Sequence, residues 1–421
     1  MVFPPGFGAV TFNNEELADA AIFRDVNCAG LVLNGSRFNR GLVVEVGDQL
    51  LSMDLEGATI AGDLTLKVRA PNGITLTQAT VEGRINITTG GSLDLRLLGG
   101  SFGGLIRVEA PSLRGLWNNA IIKGGLLVRA RVDGGDWTVD GTVFQGVLDM
   151  RDCEVPADLT LQGAVFQNCA VLDLRGAHVF GRLGLVGHAD LPKEIRLDGV
   201  VVRRGAHIAA DLRSAAPRLI ARGERPRLAG EVALTNVDLS ECLLVGNALQ
   251  EMSFSRVIWA TRGGRYLLFD EVVERPQNLP LDSLKEAYQI LKQKSQEAGD
   301  HAHAGDFHFG ELEMRRHAWG ALGSLFCLEF LYWLLSGYGT RPHKAFVAFG
   351  VLTIAAACLY WTLGQSGVST FSDALRFSLA VSTLQKREAI TVGSWIQVIQ
   401  TVLAAIILAL LVLAVRLRVK R

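Results

Sequence analysis

Alternating apolar and polar positions dominate the first half of the chain, and the alternation restarts at a nearly constant interval. Gly41, Gly62, Gly83, Gly104, Gly124 and Gly146 are 21, 21, 21, 20 and 22 residues apart. After these glycines come stretches such as Gly-Asp-Leu-Thr-Leu from 62, Gly-Arg-Ile-Asn-Ile from 83, Gly-Leu-Ile-Arg-Val from 104 and Gly-Val-Leu-Asp-Met from 146. A period of two is the signature of a strand, and a fixed longer period is that of a repeat architecture. Two residues before the glycines runs a second apolar ladder, Ile60, Val81, Phe102, Ile122 and Phe144, which Phe166 and Val179 extend. A unit of ~21 residues cannot bury its own apolar face, but units stacked at ~4.8 Å join their faces into one column.

The pattern predicts a mainly β fold: an N-terminal parallel β-helix of ~20–22-residue coils over residues 1–250. Inward positions are Leu64, Leu66, Ile85, Ile87, Ile106, Val108, Leu126, Val128, Leu148, Met150, Leu183 and Leu185. The glycines are expected at corners, where backbone angles must bend freely. After about 187 the register loosens among Pro192, Pro217, Pro226 and several arginines, so 187–250 is expected to be an irregular cap over an open edge. Outward positions are mostly polar, as at Asp63, Thr65, Arg84 and Asn86, but Leu105, Leu127 and Val147 also fall there. They read either as a contact stripe for a cytoplasmic protein partner or as scattered surface residues.

Residues 251–316 change period. Leu284, Tyr288 and Leu291 recur on one helical face after Pro280, with Ser283 and Glu286 spaced as a capping box and Gly299 as a stop. A second helix over about 300–316 completes a helical-hairpin neck. His301, His303 and His308, with Asp300, Asp306 and Glu311, are the one His-rich cluster. His301 and His303 diverge on a helix and His308 with Glu311 makes two ligands only, so the cluster reads as solvated residues, with a metal or pH-sensing role as the alternative.

Beyond the neck, residues 346–363 and 395–415 are uncharged stretches of 18 and 21 residues, each long enough to cross a ~30 Å hydrocarbon layer as a helix. Tyr360, Trp361 and Trp395 lie at their ends, where aromatic rings favour the interface. Arg341 and Lys344 precede the first, and Arg416, Arg418, Lys420 and Arg421 follow the second, which places both ends in the cytoplasm. Residues 317–338 are apolar but contain Glu329 and have basic flanks on both sides. Spanning would put a carboxylate near the bilayer centre at about 2.5–3.5 kcal/mol, so an interfacial or re-entrant helix is expected, with a third span as the alternative.

Between the two spans, residues 371–388 are amphipathic and too short to cross. Their run Phe377-Ser378-Leu379-Ala380-Val381-Ser382-Thr383, between two spans, resembles the two-helix pore module of potassium-type channels. The whole chain is similar to bacterial pentapeptide- or β-helix-repeat proteins with such an ion-channel-like tail. The resemblance to the pore module covers about residues 340–421. It implies a pore in a homo-oligomer, lined by candidates Ser382, Thr383, Gln385, Lys386, Arg387 and Glu388. In that family a Thr-Val-Gly-Tyr-Gly filter follows the short helix. Here Gln385-Lys386-Arg387-Glu388 stands in its place, so potassium selectivity is not implied and a basic ring would oppose cations.

Composition narrows the function classes. Gly at 46 and charged residues at 20% of 421 fit a turn-rich β region joined to membrane segments. A formal net charge of zero provides no global field for nucleic acid. Cys28, Cys153, Cys169, Cys242, Cys327 and Cys358 are scattered without a Cys-x-x-Cys pair and read as reduced. The N-terminal Met-Val-Phe-Pro-Pro-Gly has neither a basic nor an apolar export region, so the repeat domain is expected in the cytoplasm and the chain in the inner membrane. Asp63, Asp149 and Asp173 sit singly, without the converging carboxylates of a carbohydrate-cleaving β-helix, so no enzyme, cofactor or metal is expected. The reading that follows is an oligomeric membrane protein whose cytoplasmic β-helix senses or binds a partner and is coupled to a two-span pore-like module. The alternative is a membrane-anchored β-helix scaffold without conductance, and a β-helix enzyme comes last.

Overall fold

The structure, a computed structural model, describes residues 7–26, 28–46, 52–69, 73–132, 139–161, 163–167, 170–186, 191–273, 279–319, 328–338, 342–363, 370–383 and 394–419. The chain divides into two compact units, Met1–Thr261 with Leu268–Val273, and Arg262–Leu267 with Glu274–Arg421.

The first unit is a parallel β-solenoid of about 11 turns. One interior column passes in register through Leu42, Leu64, Ile85, Ile106, Leu126, Leu148, Leu172, Ile195 and Leu219, each the strand partner of the next. All twelve residues assigned inward from the sequence are buried. Alternation decides this, because on a stacked coil an outward apolar residue has no neighbouring layer to shield it. Trp117 is buried with them, its indole N–H donating to the Leu95 carbonyl at 3.0 Å.

Two expectations about the coils need correction. From residue 191 onward the coils do not loosen. Strand pairing continues through Ala206–Val232–Met252 and through Val202–Leu228, reaching Ser255. Pro192, Pro217 and Pro226 fall in the turns just before strands Glu194–Arg196, Arg218–Ala221 and Arg227–Leu228, where no ladder donor is lost. The second apolar ladder runs from Leu17 through Phe38, Ile60, Val81, Phe102, Ile122 and Phe144 to Phe166 and stops there. Val179 belongs instead to a stack with Val155, Val202 and Leu228. The change of face follows a change of spacing: from Val143 to Asp173 strands of two or three residues begin every five or six positions.

The repeating glycines serve close approach more than bending. A Cβ on Gly83 would lie 2.4 Å from the Gly62 carbonyl oxygen, one on Gly104 2.3 Å from that of Gly83, and one on Gly124 2.3 Å from the Gly104 carbonyl carbon. Backbones of successive coils touch at this corner, which is why a side chain is excluded.

The second unit is helical. Helix α2, Leu281–Glu297, and α3, His301–Ala318, follow the five-residue α1, Phe269–Val273, of the first unit. The capping box expected of Ser283 and Glu286 does not form. The helix begins two residues earlier, with Pro280 before its first turn and no side-chain cap. Gly299, at φ +73°, takes the left-handed position after α2, and the Asp300 carboxylate accepts the His303 N–H to start α3. Tyr288 lies flat over Gly310, where a Cβ would meet its ring at 2.7 Å. In residues 317–338 the described helix is α4, Leu328–Ser336. Among the described residues, two helices are long and apolar enough to cross a membrane, Pro342–Thr362, here α5, and Trp395–Arg416 within α7, Ser394–Val419. Between them lies α6, Phe371–Ser382.

Candidate functional site: a polar cluster inside the C-terminal helices

Helix α6 begins where Thr370 accepts the Asp373 N–H and its hydroxyl donates to the Asp373 carboxylate. Its next two turns bury one face, Ala374, Phe377, Ser378, Val381 and Ser382. Phe377 meets the Tyr360 ring edge-on at 4.9 Å, over a floor of Ala356 and Ala357 with Ile396 alongside. The small alanines on α5 let the helices approach closely.

Inside this contact lies a chain of hydrogen bonds. Gln400 of α7 donates through its amide nitrogen to the Ser378 carbonyl at 2.9 Å and to the Ser378 and Ser382 hydroxyls at 2.8 Å each. Its amide oxygen accepts the Tyr360 hydroxyl at 2.8 Å. Ser378 donates to the Thr353 carbonyl at 2.7 Å, and the Thr353 and Ser382 hydroxyls stand 3.4 Å apart. One side chain on the second long helix thus binds the short helix and the first long helix together. In hydrocarbon such bonds average ~0.6 kcal/mol each, and their larger effect is to fix one arrangement.

The cluster also sets how far α6 reaches along α5. Phe371, at the start of α6, packs against Trp361, near the far end of α5. Ser378 and Ser382, at the other end of α6, reach Thr353, twelfth of the 21 residues of α5. At ~1.5 Å per residue the short helix starts at one end of α5 and stops near its middle.

Of the pore-lining candidates, Ser382 is fully buried within the chain, and Thr383 is exposed with its hydroxyl donating to the Leu379 carbonyl at 2.9 Å. Gln385, Lys386, Arg387 and Glu388 lie outside the described residues. Thr353 and Gln400 were missed in the sequence, and Tyr360, expected as an interfacial ring, is instead fully buried and bonded to Gln400. The available signal was Gln400, an amide in the middle of an apolar stretch, which needs a partner in lipid.

On the solenoid, Leu105, Leu127 and Val147 do not form one stripe. Leu105 and Val147 are exposed and share a position that Gly125 occupies in the coil between them. Leu127 pairs with Arg107 and Asp149 one column away. Asp149 and Asp173 are strand partners, both buried, and are held by arginines: Arg129 and Arg151 on Asp149 at 3.0 and 2.8 Å, Arg175 on Asp173 at 2.7 Å. Burial opposes the charge on Asp149, but the bonds from Arg151 and Arg129 outweigh it and bring the carboxyl down to about 2. The folded state therefore gains about 2 kcal/mol from ionised Asp149 above about pH 4, and loses it as pH falls toward 2. Urea midpoints measured between pH 5 and 2 should fall less steeply in Asp149→Asn than in wild type; identical slopes would contradict the assignment.

In the neck, Glu311 is nearly enclosed and accepts from Lys292 at 2.6 Å and Gln289 at 2.9 Å, with His308 at 3.4 Å. Burial resists the charge, yet these donors hold Glu311 at about 2, while burial pushes His308 below its ordinary value. The His303 ring packs at a tilt against Tyr266 at 4.4 Å and bonds Asp300, and the Asp306 carboxylate accepts the Tyr266 N–H. These side chains brace the two helices.

Fold and site together define a parallel β-solenoid protein with a helical unit in which two apolar helices flank a short third. No protein-family model matches the chain, and neither a curated protein nor a solved structure matches it.

Proposed function

We propose that this protein is an oligomeric membrane effector in which α5 and α7 span the bilayer, α6 is re-entrant, and the solenoid is a cytoplasmic domain that binds or senses a partner. The depth of α6 carries the reading. A plain anchor joins its spans by a loop at the surface, whereas here a twelve-residue helix, too short to cross, ends level with Thr353 and is tied to both spans through Gln400. Phe346, Val351, Trp395 and Val412 are more than half exposed, which suits contact with lipid or with further copies of the chain. Trp333 of α4 lies over both Lys344 at 4.2 Å and Arg316 at 5.2 Å, a setting that favours the basic interface for α4. Two spans cannot enclose a pore alone, so conduction requires a symmetric assembly. The chain carries no potassium filter sequence, and the pore we propose is not potassium-selective.

The experiment is conductance of the purified full chain in a planar bilayer together with its mass in detergent. An oligomer with discrete currents is expected, and a silent monomer would overturn the reading. Gln400→Leu should release α6, lowering thermal stability by about 1–2 kcal/mol and abolishing conductance. Unchanged currents in that variant would contradict the role given to the cluster.

A further inference from the structure

Helix α6 has a second face. At ~100° per residue, Ser372, Arg376 and Thr383 fall within roughly 40° of one another, opposite the buried face formed by Ala374, Phe377, Ser378 and Val381, and the exposed Leu379 lies roughly 20–60° from them. All three are exposed within the chain, and among the described residues no ion pair or hydrogen bond reaches Arg376. The neighbouring Phe377 packs on Tyr360, and the next residue, Ser378, bonds Thr353. Arg376 is therefore level with the stretch of α5 between Thr353 and Tyr360, inside the length of the first span.

A guanidinium facing lipid at that depth is strongly disfavoured, whatever the exposed Leu375 and Leu379 beside it meet. Ionisable groups at membrane depth face a water-filled path instead. Resting on the reading of α6 as re-entrant, we infer that Arg376 faces the aqueous path of the assembled pore and makes it select small inorganic anions over cations.

The balance of charges agrees. The C-terminal end of α6 points its dipole toward mid-membrane with about half a negative charge, which by itself would favour cations. One full positive charge per chain at Arg376 exceeds it. Repeated by symmetry around an axis, a guanidinium in a low-dielectric passage raises the local anion concentration tenfold or more on general grounds, about the range of 10–1,000-fold for charge-lined clefts. The substrate class is a small monovalent anion such as chloride, read by charge and not by shape.

The test uses the full-length oligomer in planar bilayers under a potassium chloride gradient. Wild type should pass chloride in preference to potassium. Arg376→Gln should lower that permeability ratio by about tenfold or reverse it, while Arg376→Lys keeps it. Elution volume and melting behaviour of Arg376→Gln should match wild type, separating selectivity from misfolding. If Arg376→Gln does not assemble, charged thiol reagents applied to Arg376→Cys, with Cys327 and Cys358 replaced by alanine, should alter the current within seconds. Currents with unchanged selectivity in Arg376→Gln, or a preference for potassium in wild type, would overturn this inference and leave the pore standing. Absence of any current from wild type would overturn both.

Discussion

Gly104→Ala is expected to destabilise the solenoid by at least about 3 kcal/mol, whereas Gly73→Ala leaves it nearly unchanged. The new methyl at 104 would sit 2.3 Å from the Gly83 carbonyl oxygen and 2.5 Å from its carbonyl carbon, and both belong to backbone. Neither coil can retreat. On one side Ile85 donates to the Leu105 carbonyl at 2.9 Å, and on the other Gly124 already rests on the Gly104 carbonyl. At Gly73 the nearest atom is the Asp94 carbonyl oxygen at 3.7 Å, an ordinary contact. A drop of this size corresponds to roughly 6–12 °C in the melting midpoint of the β signal. Equal midpoints for the two variants would show that coils do not touch backbone to backbone at this corner.

Asp270→Ala should cost about 3–5 kcal/mol and begin unfolding at the last coils. This carboxylate, fully buried in α1, accepts the N–H groups of Leu244 and Val245 at 2.9 and 3.2 Å and stands 3.5 Å from the Arg225 guanidinium. It satisfies the chain where the regular strand after Cys242 gives out. Alanine leaves two buried amides without an acceptor and removes the carboxylate beside the Arg225 guanidinium. Asp270→Asn should lose less, since its amide oxygen still accepts one of the two amides. Hydrogen exchange would localise the effect: Leu244 and Val245 should exchange faster while Leu64 and Ile85 stay protected. Uniform loss of protection would mean that the solenoid opens as one unit and that Asp270 is not a local clasp.

The repeat was legible because two periods coincide. Leu64 and Leu66 alternate with Asp63 and Thr65, and the same pattern returns one coil later at Ile85 and Ile87. Where the coil changes its number of faces, after Phe144, period alone assigns Val179 to the wrong stack, because both faces present a buried apolar residue second in a two-residue strand. The expectation of a cap after 187 took proline as a sign of irregularity, although a proline just before a strand disturbs no ladder bond. The glycines were recognised by position, but their physical reason, contact between backbones of neighbouring coils, depends on a distance that sequence does not contain. In the helical unit the two long apolar helices were legible from length and apolarity. The partners of Gln400 were not, since Thr353, Tyr360, Ser378 and Ser382 come from two other helices and meet only after packing.

As proposed above, α6 descends between the two apolar helices to mid-membrane. The most direct test is a disulfide between Thr353→Cys and Ser382→Cys, whose native hydroxyls are 3.4 Å apart, in the full chain in native membranes with Cys327 and Cys358 replaced by alanine. Mild oxidation should link the pair rapidly and nearly completely within one chain, while a control pair of Thr353→Cys with Ser372→Cys stays unlinked. If the first pair fails to link and a membrane-impermeant thiol reagent modifies position 382 as fast as position 372, α6 lies at the membrane surface and the account is wrong.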